Sequence, residues 1–150
     1  MGKINAGRVV LGGLAAGVII SLGEWLASIV FAPQYDAMYQ SMGVAEPGGS
    51  TLALFVVFTF LIGALLVWLY AAVRPRLGPG PRTALCAGFA VWFLAWLWPT
   101  VSWVAIGGID LTIWMLVALM LWALVEVELS AVVGGWVYKE SEDSAPATAV

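Results

Sequence analysis

Three carboxylates stand inside apolar runs that carry no other charge. Glu24 lies in the stretch Gly13 to Ser28, and Glu126 and Glu128 lie in the stretch Leu111 to Tyr138. A charge at the centre of a membrane helix costs about 3 kcal/mol on insertion scales and more on others, so such residues want a reason in packing or in chemistry. Gly13, Gly17, Ser21, Glu24 and Ser28 recur at three- and four-residue spacing and share one helical face. Small residues on such a face let a second backbone approach closely. Glu126 repeats the pattern, with Ser130 and Gly134 following at i+4 and i+8.

At about 1.5 Å per residue, Glu24 stands about 22 Å from Val9 and Glu126 about 18 Å from Tyr138. The two depths nearly agree, so the small seams of the first and last helices are expected to face each other and bring the two carboxyls together. Glu128, rotated about 200° from Glu126, must face elsewhere, with Arg74 or Arg82 as partners. Two carboxyls in a low-dielectric seam cannot both ionise cheaply. Three readings follow: protonated acids bonded to Ser21, Ser28 or a backbone carbonyl as interhelical glue; proton or cation coupling in a carrier; or a site for a hydrophobic amine or quinone-like molecule. Trp92 and Trp96, one turn apart, either pack or wall an aromatic cage for a cationic or planar ligand.

Composition narrows the classes. The chain is 63% hydrophobic and 10% charged, too little polar surface for a water-soluble globule of 150 residues. It has no histidine and one cysteine, Cys86, so an intrachain disulfide and imidazole-held metal or haem are excluded, and no cofactor is expected. Six basic residues make nucleic acid an unsuitable partner. No set of nucleophile, base and orienter appears, so no enzyme is expected.

The elements that must position these residues are four apolar segments, about 9–31, 52–73, 84–106 and 111–138, each long enough to span a bilayer. The basic residues Lys3, Arg8, Arg74, Arg76, Arg82 and Lys139 all fall on one side of that arrangement. The positive-inside rule therefore places both termini in the cytoplasm. The expected fold is an all-α integral membrane domain over 1–139, an up-down bundle of four transmembrane helices, followed by a disordered acidic tail, 140–150. In the first outer loop Tyr35, Met38, Tyr39 and Met42 make one apolar stripe, expected on a short amphipathic helix in the interface. Ser50 or Thr51 is offered as the cap of the second span and Asp110 as that of the fourth. Pro99 should kink the third helix by crowding the carbonyl of Ala95. Arg74, Arg76 and Arg82, beside the start of the third helix, suit a lipid headgroup phosphate or simply set topology.

Gly23-Glu24-Trp25, Glu46-Pro-Gly-Gly49, Leu124-Val-Glu126 and above all the inner-loop run Trp68-Leu-Tyr-Ala-Ala-Val-Arg-Pro-Arg-Leu-Gly-Pro-Gly-Pro-Arg-Thr-Ala84 carry a resemblance. The chain resembles a family of small uncharacterised bacterial inner-membrane proteins with four spans, over nearly its whole length to about Lys139. The resemblance implies the four-span topology and the bacterial inner membrane, and contributes no site residues. On this reading the chain is a non-catalytic membrane protein, a helix-bundle scaffold or accessory subunit that associates with lipid, with itself or with a larger complex. The alternative is a proton-coupled carrier or binder of a small hydrophobic or cationic solute, using Glu24 and Glu126.

Overall fold

The computed structural model describes residues 4–108 and 112–138. Lys3, Asp110 with its expected cap, Leu111, Lys139 and the expected acidic tail lie outside the described residues. The elements are α1 (Ala6–Val30), α2 (Ala32–Met42), α3 (Gly49–Leu77), α4 (Pro81–Trp92), a π-helical turn (Phe93–Leu97), α5 (Trp98–Ala105) and α6 (Ile113–Val137). Among the described residues there is no strand. α1, α3, the continuous run Pro81–Ala105 and α6 are each at least 25 residues long and apolar enough to cross a membrane, which makes the chain a multi-pass membrane protein by length and composition.

Where the elements begin and end follows local chemistry. Asn5 caps α1 by accepting from the Arg8 N–H at 3.1 Å, and Thr112 caps α6 by accepting from Met115 at 3.4 Å. No side chain caps α3: Gly48 takes the cap position, ahead of the expected Ser50 or Thr51, which fall inside the first turn. α3 also runs on through Pro75 to Leu77, because a proline in the last turn forfeits one hydrogen bond where the helix is about to end anyway. The turn to α4 uses Gly78 and Gly80 at φ 84° and 130°, values that side chains with a Cβ rarely adopt. It is pinned by the Thr83 hydroxyl donating to Gly78 O at 2.6 Å and by Gly80 N–H donating to the Tyr70 hydroxyl at 3.3 Å.

Contacts fix which helices are neighbours. Gly13 meets Ala64 and Gly17 meets Phe60, and Ser21 meets Thr59, so the partner number falls as the α1 number rises and α1 and α3 run in opposite directions. By the same logic Gly12 against Gly134 and Gly23 against Glu126 make α1 and α6 antiparallel. Gly88 against Ala131 and Trp92 against Met120 do so for α4 and α6. α3 also touches α4 and α6, while α1 and α4 lie diagonally apart. Val67 of α3 fills the junction, its methyls against both Gly12 and Gly134. Ile20, Leu66, Val67 and Val127 are fully enclosed. The outward faces remain apolar and exposed, Leu11, Leu14, Val18, Leu22, Phe55, Leu121 and Leu129 among them. Soluble monomers rarely expose apolar patches beyond a few hundred Å², whereas hydrocarbon is a compatible solvent for such a surface.

Candidate functional site

α1 is small on two adjacent faces, and the two serve different neighbours. Gly13, Gly17 and Ser21 face α3: a Cβ built on Gly63 of α3 would come within 2.5 Å of Gly13 O and 2.6 Å of Gly17 N. Thr59 donates its hydroxyl proton to Val56 O, so Ser21 donates to Thr59 Oγ1 at 2.6 Å. Gly12, Ala16, Ile20, Gly23 and Ala27, about 100° round the helix, are the face that meets α6. The expected seam of Gly13, Gly17 and Ser21 against the last helix is therefore corrected by one residue. Gly134 does pack on α1, against Gly12 O and Ala16.

The carboxyls follow from this register. Glu126 is 5% exposed and lies against Gly23, where any Cβ would fall on its carboxyl group. Neither of its carboxyl oxygens has a hydrogen-bond partner. Trp122, one turn earlier on α6, directs its N–H past it to Gly23 O at 3.3 Å. Glu24, the next residue of α1, turns away from Glu126 and accepts from the Trp96 indole N–H at 3.2 Å. The structure thus brings both acids to one level of the α1–α6 contact, as the depths require, without a hydrogen bond between them.

The serines expected to serve the acids do not. Ser28 is exposed and donates to Trp25 O at 2.7 Å, and Ser130 donates to the backbone carbonyl of Glu126 at 2.8 Å. Glu128 faces α4, its carboxyl against Gly88, with Oε2 buried and without a hydrogen-bond partner among the described residues. Arg74 has its guanidinium over the Tyr138 ring, 6.0 Å from the centroid, while Arg76 and Arg82 are exposed at the same end of the bundle.

The two tryptophans of α4 and its continuation part company. Trp92 is buried and donates to Met120 O at 3.0 Å, whereas Trp96 reaches Glu24. Between them the helix widens: the Trp98 N–H bonds to Phe93 O, five residues back. This π-turn accommodates Pro99, which has no N–H and would crowd Ala95 O in a regular helix. The distortion expected from Pro99 is present as a widened turn.

Around Glu24 lies a half-open cavity of about 170 Å³. Ala27 of α1, Trp96 and Thr100, and Met120, Trp122 and Ala123 of α6 wall it, and Tyr35 and Met38 of α2 roof it. Those two come from the stripe Tyr35, Met38, Tyr39 and Met42, all half-buried on the side of α2 turned to the bundle. Phe31, at the joint between α1 and α2, anchors the roof edge-to-face on Trp122 at 5.8 Å. Burial pushes the Tyr35 phenol up to about 12, so it stays a neutral hydroxyl. Among the described residues no basic one lines the cavity. The sequence pointed to Glu24 and Trp96; Tyr35, Met38 and Trp122 were visible only as an apolar stripe and a deep tryptophan. Among the described residues no three His, Cys, Asp or Glu side chains gather to hold a metal ion.

Fold and site together define a helical membrane protein with four candidate spans and a carboxyl at the bottom of an aromatic cavity. Compared with protein-family models, with curated proteins and with solved structures, the chain matches none.

Proposed function

We propose that this chain is a non-catalytic binding protein of the bacterial inner membrane that takes a small organic cation into the Glu24 cavity from the outer side. The observation that carries the reading is the cavity itself: one carboxyl, three aromatic side chains and no basic group. A carboxylate supplies the charge complement, and the faces of Tyr35, Trp96 and Trp122 supply cation–π attraction. An apolar cavity of about 150 Å³ holds one benzene, so the occupant is a single ring or a compact quaternary ammonium. The sidedness rests on Arg8, Arg74, Arg76 and Arg82 gathering at the end of the bundle remote from α2 and on the positive-inside rule. It makes the bundle up-down with both termini cytoplasmic, α2 an interfacial helix, and the arginines partners of anionic headgroups. The resemblance to small four-span bacterial proteins supports the same placement.

The scaffold reading drew on the Gly13 and Gly17 packing stripe together with short loops and the absence of a catalytic set. Both glycines are covered by α3 within the chain, so that stripe offers no partner a docking face, and the binding reading has the stronger support. The test is calorimetric titration of detergent-solubilised protein with tetramethylammonium, against tert-butanol as a neutral molecule of similar size. Tetramethylammonium is expected to bind, tert-butanol to bind at least tenfold more weakly, and Glu24→Gln to remove the difference. Equal affinity for the two probes, or wild-type affinity in Glu24→Gln, defeats the proposal.

A further inference from the structure

We infer that Glu24 and Glu126 each hold a proton in the empty site, and that a cation occupying the cavity displaces the Glu24 proton one for one while Glu126 keeps its own. The inference rests on the binding reading above and adds its regulation by pH.

Glu126 is 5% exposed, and the one donor beside it, the Trp122 N–H, is committed to Gly23 O at 3.3 Å, so neither carboxyl oxygen has a hydrogen bond of its own among the described residues. A buried charge without a counter-charge or hydrogen bonds is far costlier than the neutral acid. It sits against the backbone of Gly23, next to Glu24 but outside the cavity lining, so a cation lodged in the cavity meets Glu24 and not Glu126. Glu24 has one indole donor, from Trp96, and opens to the cavity.

The titratable and charged groups facing this region can be named element by element. α1 contributes Glu24, α2 contributes Tyr35 with Tyr39 one turn behind it, and α6 contributes Glu126. The Trp96 to Thr100 wall contributes none, Glu128 is turned to Gly88, and the arginines of α3 lie at the opposite end. With no cation among them, an empty site holding carboxylates would be a net negative charge in a low-dielectric interior. Protonation removes it. When a quaternary ammonium settles over the aromatic faces, the Glu24 O–H bond breaks, the proton leaves to water through the open side of the cavity, and the carboxylate pairs with the ammonium. Charge in the site is zero before and after.

Calorimetry of tetramethylammonium binding in buffers of different ionisation enthalpy counts the protons released. About one proton per cation is expected near neutral pH, and the affinity rises about tenfold per pH unit. Infrared difference spectra give a readout independent of binding. The protonated-carboxyl C=O band is expected in the empty wild type at neutral pH, with a share lost in Glu24→Gln and another in Glu126→Gln. Saturating tetramethylammonium should remove only the Glu24 share. Binding with no proton released overturns the exchange while leaving the binding reading intact, and absence of the band at neutral pH overturns it whether or not a cation binds. Failure of tetramethylammonium to bind at all defeats both.

Discussion

Gly63→Ala is expected to destabilise the bundle by about 1–3 kcal/mol, although alanine favours a helix over glycine by roughly 0.5–1 kcal/mol. The added Cβ would lie 2.5 Å from Gly13 O and 2.6 Å from Gly17 N, and both obstacles are backbone. Neither can rotate out of the way, so α1 and α3 must separate along the turn where Gly13, Gly17 and Gly63 let their backbones touch. Separation also strains the Ser21 to Thr59 hydrogen bond one turn further on. Gly88→Ala makes the milder comparison, because its Cβ meets the Glu128 carboxyl at 2.5 Å, the far end of a flexible side chain that can swing aside, and otherwise the Ala131 Cβ at 3.1 Å, a tight contact that asks for a shift of only a few tenths of an ångström. The propensity gain then offsets that contact, and stability should change by less than about 1 kcal/mol in either direction. Reversible unfolding in mixed micelles, followed by helical circular dichroism, compares the two. Equal losses would show that the α1–α3 approach is looser than described here.

The same contact shows where the sequence was legible. Hydropathy and charge located the four long apolar helices to within a few residues: 9–31 against Ala6–Val30, and 84–106 against Pro81–Ala105. Solvent alone decides those. The stripe Tyr35, Met38, Tyr39 and Met42 marked a helix, since period and amphipathicity suffice for a short surface element. What could not be read was which of two faces of α1 meets α6. Residues 12, 13, 16 and 17 are all Gly or Ala, so the small surface is two residues wide, and a step of one residue turns the helix about 100°. Choosing Gly13 and Gly17 for α6 placed Ser21 and Ser28 beside the acids. The structure gives that neighbour Gly12, Ala16 and Gly23 instead.

The parting of Trp92 and Trp96 has a related cause. Spacing of four puts two side chains on one face only while the helix is regular. Pro99 signals irregularity one turn later, but sequence does not say whether the helix kinks, stops or widens. Here it widens, and the widened turn is the one that holds Trp96, whose N–H reaches Glu24 while that of Trp92 goes to Met120 O. π-turns often mark functional positions, and this one furnishes the hydrogen-bond donor of the cavity carboxyl.

Because Glu126 packs on Gly23, substitutions at the two positions should be strongly coupled. Gly23→Ala places a Cβ where the Glu126 carboxyl lies, and the acid must find another rotamer in a tightly enclosed setting, beside Val127, which has no exposure at all. A destabilisation of about 1–3 kcal/mol is expected for this overpacking. Glu126→Ala empties the same space, so in its background Gly23→Ala should cost little and regain its helix propensity. The double-mutant cycle is expected to give a coupling on the order of 1–2 kcal/mol. Gly23→Ala with Glu128→Ala, a carboxyl two residues away but turned to Gly88, should be additive to within about 0.5 kcal/mol. Additivity of Gly23→Ala with Glu126→Ala would mean that the carboxyl does not rest on the glycine. The seam would then return to the register in which Glu24 itself faces α6, and the division of labour between a cavity acid and a buried one would fall with it.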